Sequence, residues 1–405
     1  MFPKNNFLKI NEKYIILIAL TIGIITYQFV RVSFILFYLY LAIIIFSSFK
    51  NTNEQKLTLN QLLIIPIVIY FFIFLLGMLF LCQSINKIKS LLYLLNSWII
   101  PIMFYFIFLK NRNKLSFEIQ YENIIIFLTF ISCIIALIEF VYYIFIKHST
   151  RDRVISIFFN PNTFAYYIVA ITPLIINKYK KMSLQISILF FVVILLTNSR
   201  TGLIIYFTEI ILLNYSSIKK NYLKLLVPFS FILLIFSRRI IYRIPKLENL
   251  KNYDDAVSLR LQAIEFSIKK IKDLSFFKGI GVGQFYDYYK ITSDSGRIIL
   301  HSAHNMFLNI FVEYGIIGFV LIYFLTIFCI IIASFLYFQR RRISDFNILI
   351  AFIMITIFQF FDMAEIGNIR MIPLNIVYIY YVYKILSNFG VWREIKYGKQ
   401  CEKLL

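Results

Sequence analysis

Long apolar runs alternate with short polar segments along most of the chain. A helix needs about 20 apolar residues to cross the hydrocarbon layer of a membrane, because each residue adds about 1.5 Å. Run after run meets this requirement, so the pattern predicts about twelve transmembrane helices. The predicted spans are 14–30, 32–49, 62–82, 91–109, 122–146, 163–177, 182–198, 201–218, 222–240, 314–338, 346–361 and 371–387.

Two places in this pattern are poorly delimited. The span 163–177 is short and contains Pro173, a residue type that kinks or breaks helices. The spans 182–198 and 201–218 are separated only by Asn198, Ser199 and Arg200. The pattern therefore allows a partial break at Pro173 and a boundary at Arg200 that shifts by a few residues.

One long polar interruption separates the ninth predicted span from the tenth. The chain then divides into transmembrane helices 1–9 (1–240), a large external loop with short helices (241–313), transmembrane helices 10–12 (314–387) and a cytoplasmic tail (388–405). Within the loop, apolar residues recur at helical spacing and predict one amphipathic helix. These residues are Val257, Leu261, Ile264, Ile268 and Ile271.

Two further elements are predicted at the end of this loop. The glycines at 279, 281 and 283 indicate a tight turn that returns the chain to the membrane, because glycine tolerates left-handed backbone angles. A second short helix is predicted from near Ser302 to Gly315.

Composition places the chain among integral membrane proteins. It is 60% hydrophobic and 15% charged, whereas soluble domains are about 45–50% apolar and about 25% charged. The predicted class is an all-α polytopic membrane protein. The net charge of +22 would suggest nucleic acid as a partner of a soluble protein, but here the basic residues form short clusters between apolar runs, so no nucleic acid is expected.

Lysine and arginine predict the orientation, since short cytoplasmic loops are enriched in both. Across the predicted short loops and termini, 22 of the 42 basic residues fall on one side and 8 on the other. The remaining 12 lie in the loop region, which is too long for the rule to apply. Both termini are therefore expected in the cytoplasm, and the long loop outside.

Among the arginines predicted on the outer side, four form a candidate basic group. They are Arg200, Arg260, Arg297 and Arg370. A guanidinium group matches phosphate oxygens in a planar fork, so this set is suited to a diphosphate. The alternative is that each arginine only extends to lipid headgroups or water.

His304 is a candidate general base, because a neutral imidazole accepts a proton near neutral pH. Asn305 beside it would supply an amide for sugar hydroxyls, although a structural or capping role is the alternative for both. No carboxylate or thiol cluster accompanies His301 and His304, so no metal site is expected. Carboxylates inside or near apolar runs are further functional candidates. They are Glu139, Glu209 and Glu313.

The order of these motifs resembles the O-antigen ligase and polymerase superfamily, which includes Wzy-type repeat-unit polymerases and WaaL-type ligases. The resemblance covers about residues 155–375. It rests on Asn160-Pro161-Asn162, Asn198-Ser199-Arg200-Thr201-Gly202, Arg260, the run Gly279 to Gly283, His304-Asn305 and the run Glu313 to Gly318.

The resemblance implies a GT-C-like, metal-independent and cofactor-free glycosyltransferase that inverts the anomeric carbon. Its donor would be a glycan on undecaprenyl diphosphate. Arg200 and Arg260 would hold the diphosphate, and His304 would be the base on the acceptor hydroxyl. The expected substrate-binding residues are Asn162, Arg297, Asn305 and Arg370.

Three functions are compatible with these features. A polymerase would join lipid-linked repeat units into O-antigen or capsule, with a chain-length regulator protein as a further partner. A ligase would transfer the finished glycan to lipid A-core. A flippase is disfavoured, because transporters commonly contain internal repeats and this sequence has none that is evident. All three place the chain in the bacterial inner membrane, and the two enzymes place the active site on its outer face.

Overall fold

The computed structural model describes most of the third through eighth and the tenth through twelfth predicted spans, and parts of the loop. The described residues are 61–80, 87–110, 115–148, 153–156, 158, 160–215, 256–273, 279–285, 291–292, 298–300, 305–361 and 372–402. The predicted spans 14–30, 32–49 and 222–240 lie outside these ranges. So do His304, Arg297 and Arg370.

The described part is built mainly of α-helices. They are α1 (Gln61–Phe80), α2 (Lys87–Leu94), α3 (Ile100–Lys110), α4 (Leu115–Phe145), α5 (Pro161–Lys178), α6 (Ser183–Thr197), α7 (Arg200–Leu213), α8 (Ala256–Asp273), α9 (Met306–Arg340), α10 (Ile343–Phe361) and α11 (Ile372–Glu402). A π-helical turn, Leu95–Ile99, joins α2 to α3. Each predicted span within the described residues overlaps one of these helices, except that the span 91–109 covers the end of α2, the π-helical turn and α3. Helix α8 matches the predicted amphipathic helix.

Six stretches in the described part of the chain are long and apolar enough to cross a membrane. They are Leu62–Leu79, Ser90–Leu109, Phe117–Phe145, Lys180–Thr197, Met306–Arg340 and Ile343–Phe360. The protein is therefore a multi-pass, all-α membrane protein. The total of twelve spans and the GT-C-like arrangement stay predictions.

Helix α5 lies inside the bundle and packs against α4, α6, α7, α10 and α11. Its residues from Phe164 to Ile176 are all buried. Because neighbouring helices cover this stretch, its polar and tyrosine side chains need not face lipid, which explains why α5 is not among the six most apolar spans. The partial break allowed at Pro173 does not occur, since α5 continues through it to Lys178.

Helix α9 bends sharply at Gly315, whose φ of 67° and ψ of −171° are not helical. Aromatic rings pair across this bend: Phe311 lies 5.2 Å from Phe319, and Phe307 stacks on Tyr323 at 3.9 Å. Both pairs are symmetric about residue 315, so the two arms of α9 lie side by side as a helical hairpin. We call the part before Gly315 the first arm and the part after it the second arm.

The first arm begins a few residues later than predicted. The helix expected from near Ser302 instead starts at Met306, with Asn305 as its N-cap. The break expected at Gly315 is present as the hairpin bend, so the predicted loop end at 313 falls near the tip of the hairpin. Outside the predicted helices, the loop also contains a short antiparallel pair, β1 (Ile291–Thr292) and β2 (Ile298–Leu300), for which the apolar pattern gives no signal.

Antiparallel packing brings alternate helix ends together at two ends of the bundle. The Arg200 end holds the first residues of α5, α7 and α11 and the last residues of α4, α6 and α10. The Lys384 end holds the first residues of α4 and α10 and the last residues of α5 and α9. The charge count predicts the Arg200 end to be outside and the Lys384 end to be cytoplasmic.

Candidate functional site

Arg200 is the first residue of α7 and is exposed at the end of the bundle. The turn before it is fixed by its neighbours. Asn198 takes left-handed backbone angles, with φ at 52°, and ends α6. Ser199 then caps α7, because its Oγ accepts a hydrogen bond from the N–H of Gly202 at 3.2 Å. The sequence Asn-Ser-Arg thus places a guanidinium group on the first turn of a helix.

Gly202 is required by the packing of α7 against α5. A Cβ atom at this position would lie 2.7 Å from the Cβ of Ala165 and 3.1 Å from Ser199 Oγ. Neither neighbour is the end of a flexible side chain, so a larger residue would push the start of α7 away from α5. The glycine therefore helps to fix the position of Arg200 relative to the central helix.

Arg153 braces the same turn from a loop between α4 and α5. Its Nε donates a hydrogen bond to the carbonyl oxygen of Thr197 at 2.9 Å. Its Nη2 donates another to Oδ1 of Asn162, on the first turn of α5. The backbone N–H of Val154 also donates to the carbonyl of Leu196 at 3.2 Å. Arg153 therefore ties the end of α6 to the start of α5.

Glu139 holds the loop that carries Arg153. Its Oε2 accepts hydrogen bonds from the backbone N–H groups of Ile155 at 3.0 Å and Ser156 at 2.7 Å. Its Oε1 accepts one from the hydroxyl of Tyr143 at 2.6 Å. This carboxylate, a functional candidate from its place in an apolar run, has a structural task in the described fold.

Asn160 and Asn162 have separate tasks at the start of α5. The side chain of Asn160 accepts from the N–H of Asn162 at 2.8 Å and caps the helix, and Pro161 occupies its first position. The motif is thus a helix start. The amide oxygen of Asn162, an expected substrate ligand, is already occupied by Arg153.

The glycine run 279–283 packs against the tip of the α9 hairpin. The N–H groups of Ile280 and Gly281 donate to the carbonyls of Val312 and Glu313 at 2.8 and 3.2 Å. These carbonyls end the first arm, where helices leave backbone acceptors without internal partners. The glycine run therefore caps the C-terminal end of the first arm with N–H groups that are not part of α9.

Close approach explains the glycine at position 279. Gly279 has φ at 60°, and a Cβ atom there would lie 2.5 Å from the carbonyl oxygen of Glu313. The carboxylate of Glu313 also accepts from the N–H of Phe285 at 3.2 Å. Glu313, like Glu139, therefore stabilises a loop, whereas neither oxygen of the buried Glu209 has a hydrogen-bond partner among the described residues.

The π-helical turn connects the first half of the bundle to this hairpin. Trp98 lies in the turn, and its Nε1 donates to the hydroxyl of Tyr314 at 2.7 Å. Nearby, Gln284 Nε2 donates to Ser90 Oγ at 2.6 Å, so α2 also contacts the residue that follows the glycine run. Residues far apart in sequence thus hold the hairpin tip in place.

Asn305 begins the first arm, and its Oδ1 accepts from the N–H of Leu308 at 3.1 Å. Two residues later, Phe307 stacks on Phe360 at 3.7 Å, next to the end of α10. Because α10 ends at the Arg200 end of the bundle, Asn305 starts its helix at that end too. His304 directly precedes Asn305 in the chain, although it lies outside the described residues.

The structure therefore describes three of the seven expected site residues with their side chains: Asn162, Arg200 and Asn305. It brings Asn162 and the Arg200 turn together through Arg153 and places Asn305 at the same end. Arg260 lies on α8, which packs against α9. The structure describes the backbone of Arg260 but not its side chain.

A family model described as O-Antigen ligase matches residues 185–323. This match agrees with the resemblance to the O-antigen ligase and polymerase superfamily. The resemblance drawn from the motifs is thereby confirmed. The match covers about a third of the chain and includes Arg200, Arg260 and His304. Members of this family are membrane enzymes that act on lipid-linked glycans. No curated protein matches the chain.

Proposed function

We propose that the chain is an inverting, metal-independent glycosyltransferase that polymerises undecaprenyl-diphosphate-linked repeat units into O-antigen or capsular polysaccharide. The observation that carries the proposal is the Arg200 turn. An exposed guanidinium group sits on the first turn of α7, inside the region matched by the family model, and its backbone is fixed by Ser199, Gly202 and Arg153.

Such a position suits a diphosphate leaving group. Negative charge increases on the diphosphate as its bond to the sugar breaks, and a fixed cation stabilises that charge more in the transition state than before it. The positive end of the α7 dipole adds to the field at the same place. Arg260, on α8, would approach the diphosphate from the loop.

His304 would take the proton from the acceptor hydroxyl. It is joined to Asn305, whose cap fixes the start of the first arm at the Arg200 end. His304 directly precedes this N-cap in the chain. In this proposal Asn305, Arg297 and Arg370 complete the binding surface, while Asn162 acts by holding Arg153.

A polyprenyl diphosphate is an activated donor, so the reaction needs no nucleotide. The sugar bond to the diphosphate breaks, the acceptor oxygen bonds to the anomeric carbon, and the proton passes to His304. The diphosphate leaves on its lipid carrier. In a polymerase the acceptor is the next repeat unit, and in a ligase it is lipid A-core.

The ligase is the second candidate, and the description of the matching family favours it. The two functions differ in the glycan that remains when the gene is deleted. A polymerase deletion leaves one repeat unit on lipid A-core, whereas a ligase deletion leaves polymer on the lipid carrier and none on lipid A-core.

The test is complementation of the deletion strain with the wild-type gene and with His304→Ala, followed by gel analysis of both glycan pools. We expect the wild-type gene to restore long chains and His304→Ala to restore none, with equal amounts of both proteins in the membrane. Lys181→Ala, a change of an exposed residue at the other end, is the matched control. Long chains made by His304→Ala would refute the proposed base.

A further inference from the structure

A polar cavity of about 330 Å³ lies at the Lys384 end of the bundle. It is lined by residues of α4, α5, α10 and α11 and by the α9–α10 connection. Asn162 and Asn177 mark the two ends of α5, and their separation of 15 positions corresponds to about 22 Å at about 1.5 Å per residue. The cavity is therefore separate from the proposed glycosyl-transfer site.

One wall of the cavity is a satisfied ion-pair network. Lys384 Nζ lies 2.8 Å from Glu118 Oε2 and 3.2 Å from Glu122 Oε1. The hydroxyl of Tyr380 donates to Glu122 at 2.7 Å, and that of Tyr383 donates to Glu118 at 3.1 Å. This wall contains two carboxylates and one ammonium group, and each of them already has an ion-pair or hydrogen-bond partner.

The other wall contains a carboxylate with an unused oxygen. Asp345 is only 3% exposed and lines the cavity, yet its Oδ2 has no hydrogen-bond partner among the described residues. A buried polar atom without a partner costs free energy, and native structures supply a partner for most such atoms. Protein atoms cover Oδ2 itself, so Asp345 offers the cavity a carboxylate charge that its own hydrogen bonds do not fully satisfy.

Two arginines lie on the same wall. Arg340 Nη2 donates to the carbonyl of Asn388 at 2.7 Å, which leaves further N–H groups of its guanidinium available. Arg342 is exposed and also lines the cavity. The charges of both arginines act on Asp345. A ligand on this wall could therefore place a positively charged group beside Asp345 and a negatively charged group beside the two arginines.

The charges that line the cavity select a ligand that carries both signs. The three acids Glu118, Glu122 and Asp345 are matched by the three bases Arg340, Arg342 and Lys384. A simple anion would be repelled by the acids, and a simple cation by the bases. In the described part of the chain, these carboxylates do not form a group suited to a metal ion.

The position of the cavity indicates where such a ligand comes from. Ile119, which lines it, is 45% exposed, and Ile343, next to the lining residue Ser344, is 63% exposed. Exposed apolar residues on a membrane helix face lipid, so the cavity borders the lipid-facing surface at the level where helices end. Its volume equals that of about eleven waters at about 30 Å³ each, enough for a phospholipid head group.

We propose that this cavity binds a phosphoethanolamine group. The phosphate lies against the guanidinium groups of Arg340 and Arg342, which match phosphate oxygens, and the ammonium lies beside the carboxylate of Asp345. The group is carried either by a phospholipid of the adjacent leaflet or by a free molecule in solution. This site does not depend on the proposed glycosyl transfer.

Native mass spectrometry of the full chain in detergent tests the proposal. The probes are phosphatidylethanolamine, phosphatidylcholine and soluble phosphoethanolamine. We expect phosphatidylethanolamine to bind about tenfold more tightly than phosphatidylcholine, whose trimethylated nitrogen has no N–H to donate to Asp345. Asp345→Asn removes the charge at constant shape and should abolish this preference.

A pair of neighbouring arginines provides the matched control. Arg342 lines the cavity, whereas Arg341 is also exposed but lies over the rings of Tyr337 and Phe338. Arg342→Gln should weaken phosphatidylethanolamine binding about tenfold, and Arg341→Gln should not change it. This pair decides the question even if Asp345→Asn does not fold.

The outcomes separate the alternatives. Equal binding of the two phospholipids, equal loss in both arginine variants, or no binding of any probe would overturn the proposal. Binding of the lipid alone assigns the group to the leaflet. Equally tight binding of soluble phosphoethanolamine assigns it to a free molecule, with the same residues and the same effects of substitution.

Discussion

Arg153 and Arg200 are neighbours in the fold but have different surroundings. Arg153 is partly buried and donates hydrogen bonds to Thr197 and Asn162, 44 and 9 residues away in sequence. Arg200 is exposed on the first turn of α7. The first arginine therefore fixes the backbone, and the second presents its charge at the end of the bundle.

Replacing Arg200 tests the proposed diphosphate contact. Arg200→Ala removes a fixed cation, and we expect polymer formation from a lipid-linked oligosaccharide to slow by about 10²-fold or more. Arg200→Lys should recover part of the rate, because lysine keeps the charge but not the planar fork. The measurement is the initial rate with purified protein. Arg341→Ala, an exposed arginine at the other end, should keep the full rate.

Glu139→Gln tests the brace beneath Arg153. The change removes the negative charge that accepts the N–H groups of Ile155 and Ser156, and hydrogen bonds to charged groups contribute about 1.5–3 kcal/mol. Amide hydrogen exchange should therefore accelerate at these two residues, while the helices keep their protection. Glu265→Gln, on the exposed face of α8, is the control. Unchanged exchange at Ile155 and Ser156 would remove Glu139 from this role.

Sequence reasoning found Arg200 because its position between two apolar runs is visible in the chain. It counted Arg153 only as one basic residue of an outer loop, since the partners that define it come from other elements. The nearest available signal was its place in the short polar segment before Asn160. The sequence shows Glu139 as a carboxylate within an apolar run. Its role depends on the backbone N–H groups that it binds, and these are visible only in the fold.

Among the elements, the α9 hairpin is the part that differs most from a simple membrane span. Its first arm ends at carbonyls that the glycine run caps, and Phe307 packs on the second arm and on α10. A helix end was predicted at Gly315, and the structure has a bend there. That the chain folds back on itself was not predicted, because the pairing of the two arms depends on ring contacts across the bend.

Gly279→Ala tests the docking of the glycine run. The new methyl group would lie 2.5 Å from the carbonyl oxygen of Glu313, at a backbone φ of 60° that costs a non-glycine residue about 1–3 kcal/mol. We expect a lower thermal unfolding midpoint and faster proteolysis of the loop. Leu261→Ala, a change of a 60% exposed residue on α8, should leave the midpoint near that of the wild type. Equal midpoints for all three proteins would contradict the docking.

In the whole molecule, the two ends of the bundle have different chemistry. The Arg200 end combines arginine, capping asparagines and backbone N–H groups, whereas the Lys384 end holds the ion-pair network and the cavity. Apolar spacing predicted the helices well, because each span is a local property of the sequence. The buried position of α5 was not predicted, because its cover is supplied by five other helices.

The assignment of the Arg200 end to the outside is testable by cysteine labelling in intact cells. In a background without native cysteines, Asn160→Cys lies at the Arg200 end and Lys181→Cys at the Lys384 end, and both positions are exposed. A membrane-impermeant maleimide should label Asn160→Cys but not Lys181→Cys until the cells are permeabilised. The charge difference between the two sides requires this result, because basic short loops stay in the cytoplasm. The reverse pattern would place the arginines on the cytoplasmic side, where the diphosphate of an exported donor does not reach them.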